Sequence, residues 1–254
     1  MTYLQFLLIF LGIPLFMVLL GYRKSKLPHK KEFRFGIMLL IFLAVTYTTP
    51  WDNYLVKTGV WIYGEDRIIG TIGYVPIEEY CFFVLQTILS GLICFLLQKQ
   101  IPLIKKNQKI KLNKIVMIGY AFFFFVGVVC LYFEKTRYLG LILSWAMPVI
   151  LLQWTFGGNY LLTNSKLFLL STFIPTFYLW IADGLAISWG IWSISEVFTI
   201  GVNLGSLPLE EAVFFLVTNL MVSQGVILFV VMQAEIAKVK DLKRRVFKWA
   251  GITG

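Results

Sequence analysis

The chain has 254 residues, of which 59% are hydrophobic, 17% aromatic and only 14% charged, against about a quarter charged in an ordinary soluble domain. That composition excludes a soluble globular enzyme. The net charge of +10 is split among loop ends rather than gathered in one stripe, so it points to membrane topology and anionic lipid and not to nucleic acid.

Charge-free apolar blocks recur along the whole chain, and a membrane-spanning helix needs about 20 mostly apolar residues. Seven spans are predicted, near 3–21, 34–52, 76–98, 115–133, 139–156, 167–186 and 209–233. The expected fold is an all-α integral membrane protein, a single membrane domain over 1–254. The first span has no basic residue before it and no small-x-small site after it, so it reads as a retained anchor. Cys81, Cys94 and Cys130 lie in apolar spans without metal-ligand spacing and are expected to be buried packing residues. The single histidine, His29, sits in a basic loop, so neither a histidine metal site nor a Ser/His/Asp arrangement is expected.

Lys and Arg collect on the cytoplasmic side of a membrane protein. With seven spans, the segments 22–33, 99–114, 157–166 and the basic tail 234–254, with the adjoining span ends, hold 19 of the 23 basic residues. The other face holds Lys57, Arg67, Lys135 and Arg137. This predicts a prokaryotic cell-membrane protein with its N-terminus outside and its C-terminus in the cytoplasm. Ten of the 13 acidic residues fall at or beyond the outer span ends. Acids contribute little to topology, so their clustering needs another cause.

An internal repeat supplies one. Residues 52–83 align over 183–215 with one inserted residue, pairing Asp52 with Asp183, Trp61 with Trp192 and Glu65 with Glu196. Further on, Pro76 pairs with Pro208, Glu78 and Glu79 with Glu210 and Glu211, and Phe82 and Phe83 with Phe214 and Phe215. The copies follow spans of the same direction. The predicted architecture is therefore two parallel three-helix repeats, 1–98 and 139–233, joined by a linking helix over 115–133.

Carboxylates behind a proline suit the positive end of a helix dipole, so helix capping accounts for one glutamate per motif. It accounts less well for two glutamates and a Phe-Phe pair in both copies. A carboxylate near the membrane boundary usually faces a bundle interior or cavity. Burial beside a second carboxylate favours a neutral acid, which can donate a proton. Phe82 and Phe214 follow Glu78 and Glu210 by four residues, on the same helix face. Trp51, Trp61, Trp180, Trp189 and Trp192 lie in or beside the repeated segments. Such rings form ordinary interfacial belts, or they stabilise a cation where water is excluded. Acids and aromatics in an oily cavity suit protonation of an alkene, retention of a carbocation and removal of a proton.

The doubled motif Pro76-Ile77-Glu78-Glu79 and Pro208-Leu209-Glu210-Glu211 resembles that of the membrane-embedded lycopene cyclases, in the fused form of the two-subunit, flavin-free type. The resemblance runs from the first span to the seventh. It implies a lycopene β-cyclase of carotenoid biosynthesis, acting on lycopene or a related linear carotenoid in membrane lipid. The reaction it implies is a redox-neutral isomerisation that needs no cofactor and no metal. It also implies Glu78, Glu79, Glu210 and Glu211 as the acid/base groups. Asp52, Glu65, Asp183 and Glu196 are secondary candidates on the repeat alone. Phe82, Phe83, Phe214, Phe215, Trp51, Trp61, Trp180 and Trp192 are candidates for holding the substrate and its cation. Two alternatives remain at this point: a carotenoid hydratase using the same protonation, and a small three-one-three transporter. A retinal-binding photoreceptor is disfavoured, because the last span has no lysine for a Schiff base.

Overall fold

The computed structural model describes residues 1–105 and 110–249; the side chains of Glu65, Lys238 and 240–249 lie outside the description. Among the described residues, seven helices are long and apolar enough to cross a membrane. They are α1 (Tyr3–Lys24, with a π turn at Leu8–Gly12), α2 (Lys30–Lys57), α3 (Ile77–Leu97), α4 (Leu112–Cys130), α5 (Arg137–Thr163), α6 (Ser165–Ser188) and α7 (Leu209–Trp249). All seven predicted spans are present, several of them longer than the apolar blocks alone indicate. Residues 157–166, expected as an inner loop, are instead the last turns of α5 and the start of α6, with Asn164 between them. Asn164 holds that junction by accepting the Ile104 N–H at 2.8 Å and donating to the Ile104 carbonyl at 2.9 Å. The last helix continues well past its apolar block, through much of the basic tail; residues 250–254 fall outside the described residues.

Helices α3 and α7 form the centre and touch each other. Helices α1 and α2 pack on α3, while α5 and α6 pack on α7; α2 also reaches α7, and α6 reaches α3. Helix α4 lies at the outside against α5, with Phe122 and Phe125 exposed. Cys94 is buried as expected, Cys130 is partly buried, and Cys81 is exposed, a correction to the expectation of interior packing. It lies on the turn of α3 that presents Glu78, Glu79, Phe82 and Phe83 inward, so its own side chain points away from the bundle.

At one end of the bundle the chain builds small β elements that the apolar pattern does not announce. After α2, Gly59 takes φ 73° and the Val60 N–H reaches back to the Leu55 carbonyl at 2.9 Å. After α6, Gly190 takes φ 63° and the Ile191 N–H reaches the Ala186 carbonyl at 3.0 Å. These are glycine C-caps, which stop a helix while satisfying its last carbonyls. They launch β1 (Trp61–Tyr63) and β4 (Trp192–Ile194), which pair antiparallel with Ile62 opposite Ser193. Next come two tight hairpins, β2 (Thr71–Ile72) with β3 (Val75–Pro76), and β5 (Asn203–Leu204) with β6 (Leu207–Pro208). Each turns on a glycine at φ 67°, Gly73 or Gly205, the residue a II′ turn requires first. Each hairpin feeds directly into a central helix, α3 or α7.

Candidate active site

Pro76 and Pro208 end the hairpins, so Glu78, Glu79, Glu210 and Glu211 all fall in the first turn of α3 or α7, where the helix dipole favours negative charge. All four are buried, at 0–4% exposure. Within each pair the two carboxylates part company. Glu78 turns back to its own hairpin and accepts the Ile69 N–H at 2.8 Å; Glu210 accepts the Ile200 N–H, also at 2.8 Å. Glu79 and Glu211 instead face one cavity of about 340 Å³, walled by Tyr3, Trp61, Tyr63, Trp192, Phe82, Phe214 and Phe215, with Asp183 at its edge.

The two cavity glutamates are held by matching donors. Glu79 Oε2 accepts the hydroxyls of Tyr3 at 2.5 Å and Tyr63 at 3.0 Å. Glu211 Oε1 accepts the Tyr138 hydroxyl at 2.6 Å and the Trp61 indole N–H at 3.0 Å. Burial, and next the neighbouring Glu79 carboxylate, hold the Tyr63 phenol well above its ordinary value, so it stays a donor. Asp52 is fully buried, and neither carboxyl oxygen has a hydrogen-bond partner. Asp183 accepts the Trp192 indole N–H through Oδ1 at 3.1 Å and leaves Oδ2 without a partner. Unpaired buried carboxyl oxygens are costly, and a site that moves protons is one setting where they are kept.

The aromatic walls interlock. Phe214 stacks against Trp51 at 5.8 Å between centroids and meets Trp61 edge-on at 5.7 Å. Phe215 meets Phe214 at 5.3 Å and Phe82 at 6.0 Å. Trp192 abuts Tyr3 at 4.8 Å.

Of the residues singled out in the sequence, Glu79, Glu211, Asp183, Phe82, Phe214, Phe215, Trp61 and Trp192 share this cavity. Trp51 backs it through its stack on Phe214. Phe83 lines an adjoining space. Trp180 sits apart, donating its indole N–H to the Ala212 carbonyl at 2.9 Å. Glu196 is exposed, and the side chain of Glu65 falls outside the description. Sequence reasoning missed Tyr3, Tyr63, Tyr138 and Trp145. Tyr3 and Tyr138 each open the first helix of a predicted three-helix half, and extending the repeat comparison back to those helices would have paired them. Among the described residues, no group of three or more His, Cys, Asp or Glu is placed to hold a metal ion.

A family model described as lycopene cyclase matches residues 1–97 and 136–230. The lycopene beta-cyclases of two Halobacterium salinarum strains, R1 and NRC-1, are each 40% identical over 237 residues, covering 90% of this chain and 95% of the relative. The bifunctional lycopene cyclase/phytoene synthase of Aspergillus niger is 35% identical over 201 residues, 76% of this chain but 34% of that longer protein. No solved structure gives a significant match.

Proposed function

We propose that this chain, which belongs to the lycopene cyclase family, is a lycopene β-cyclase that closes a ring at a linear carotenoid end by acid–base chemistry in the cavity between Glu79 and Glu211. The observation that carries the reading is the convergence of one glutamate from each Pro-x-Glu-Glu motif on a single aromatic-walled cavity.

The reaction balances without electrons. A protonated carboxyl gives its proton to C2 of the end group, leaving a cation at C1. The C5–C6 double bond attacks C1 and moves the charge to C5. Loss of a proton from C6 restores a double bond and gives the β-ring. Glu79 and Glu211 act as the acid/base pair, one neutral and one ionised at the start. The hydroxyls of Tyr3, Tyr63 and Tyr138 and the indole N–H of Trp61 orient them. Phe82, Phe214, Phe215, Trp61 and Trp192 offer ring faces to the passing cation. Glu78 and Glu210 latch each hairpin to its helix and so aim the neighbouring glutamate.

The same proposal includes two parallel three-helix halves, 1–98 and 139–233, about α4 as linker. Equivalent positions Ile62 and Ser193 face each other in the β1–β4 ribbon, and equivalent tyrosines meet equivalent glutamates; both facts support it. An outside N-terminus and a cytoplasmic C-terminus follow from the basic-residue bias. Expression in cells that accumulate lycopene tests the function. Pigment chromatography should then detect ring-bearing carotenoids; lycopene left unchanged, with the protein present in the membrane, would refute it.

A further inference from the structure

Two further spaces lie in series beside the acid cavity, toward the opposite end of the bundle, along the seam between α2 and α5. The first takes in about 700 Å³, part of it open to the surroundings, and shares Phe214 with the acid cavity. The second is a more open groove of about 720 Å³ and shares Leu40 and Gln153 with the first. Together they follow α7 from Phe214 to Met232. The 18 residue-to-residue steps between them cover about 27 Å at 1.5 Å per residue, close to the roughly 30 Å hydrocarbon thickness of a bilayer. At the acid end, Thr48 lines the passage one helical turn below the unpartnered Asp52.

The passage suits a hydrocarbon. Most of its lining is apolar, and two of its polar side chains are engaged: Gln86 donates to Thr218 at 3.1 Å, and Gln153 donates to the Met221 carbonyl at 3.0 Å while its Oε1 keeps no partner. Its lip is open to the side, since Leu43 on α2 and Leu152 on α5 stay half exposed. Its outer end is bridged, where Tyr47 donates to the Trp145 carbonyl at 2.9 Å and Trp51 to the Leu141 carbonyl at 3.2 Å. The matching seam between α1 and α6 holds a void of only about 180 Å³ beneath Phe6 and Trp192. The acids are thus nearly symmetric about the cavity, while the large passage runs along one side.

We infer that the α2/α5 passage binds the polyene of the linear carotenoid lengthwise, entered sideways from the lipid, so that one end group at a time meets the acids. This rests on the cyclase reading. A rod lying along the passage has its far end near the opposite membrane face, where the passage offers no carboxyl. Closing a second ring therefore requires the molecule to leave, reverse and re-enter. The one-ring product is released to the lipid between the two closures.

Two measurements on purified full-length protein in liposomes test this. In the first, a symmetric linear carotenoid is supplied in excess, with a labelled pool of its one-ring product added at the start. Free one-ring product should build up early, and any two-ring product should carry the label of the pool. Unlabelled two-ring product from the earliest time points would overturn one-end binding. In the second, Ala44→Phe and Val149→Phe fill the passage from opposite walls. Each should lower conversion per folded protein on the order of 10- to 100-fold, the cost of a misplaced substrate. Ile118→Phe, on the exposed face of α4, should leave it unchanged. Wild-type rates in both passage variants would overturn the inference even though cyclisation stands. Should either variant fold poorly, the time course on unaltered protein decides alone. Absence of any cyclisation by the unaltered protein would instead overturn the proposed function, and the passage assignment with it.

Discussion

Replacing Glu79 by Gln exchanges a carboxyl for an amide of nearly the same size, in a cavity where two tyrosine hydroxyls at 2.5 and 3.0 Å already fix its position. Packing and those hydrogen bonds survive; the transferable proton does not. General acid–base catalysis contributes about 100- to 10,000-fold, which is about 2.7–5.5 kcal/mol of barrier. An alkene in an aromatic cavity has few other proton donors, so the loss should fall at or beyond the upper end. The same holds for Glu211→Gln, whose partners are Tyr138 and Trp61. Glu78 and Glu210 make the contrast. Their work is to accept a backbone N–H at 2.8 Å, which the oxygen of Gln can also do. Glu78→Gln and Glu210→Gln keep an acceptor oxygen in place, so they should cost no more than about 1 kcal/mol of local stability and leave activity within about fivefold. The assay is the rate of ring formation per folded protein, with membrane level and thermal melting measured alongside. High turnover in Glu79→Gln and Glu211→Gln, with loss in Glu78→Gln and Glu210→Gln, would refute the assignment of the cavity pair. Near wild-type rates in all four would reduce the motif to helix capping.

Tyr138→Phe removes the 2.6 Å donor to Glu211; at about 0.5–1.5 kcal/mol for a typical hydrogen bond, turnover should fall about twofold to tenfold with expression unchanged. Ile69→Cys and Ile200→Cys, both at exposed residues just ahead of the hairpins, should react with a membrane-impermeant thiol reagent on intact cells once Cys81, Cys94 and Cys130 are replaced. Labelling of only one would break the two-repeat arrangement, and labelling of neither would reverse the orientation. Cyclisation by purified protein should proceed without added flavin or nicotinamide, and a strict requirement for either would contradict redox neutrality.

The spans were legible because a bilayer demands long apolar helices, and the composition of the chain leaves no other reading of Leu4–Leu20 or Ala212–Ala234. The end of α5 was not legible, because "GGNYLLTNSK" carries loop-forming residues that neighbouring helices override. Asn164, for instance, spends its side chain on Ile104, 60 positions away. The repeat exposed the acids in pairs, but two adjacent glutamates on one helix turn look alike in sequence. What separates Glu78 from Glu79 is which one finds a hairpin N–H, and that depends on a two-residue turn at Gly73. The three tyrosines escaped notice because tyrosine at a membrane boundary ordinarily signals nothing but the interface. The passage along α2 and α5 depends on which seam the helices leave open, a property of packing with no local pattern.

Running the reaction in heavy water, with purified protein in lipid and lycopene as the only other reactant, tests the central claim most directly. Proton delivery to C2 from a carboxyl in exchange with solvent predicts one deuterium at C2 of every ring formed. Ring-bearing product with no deuterium at C2 would contradict it.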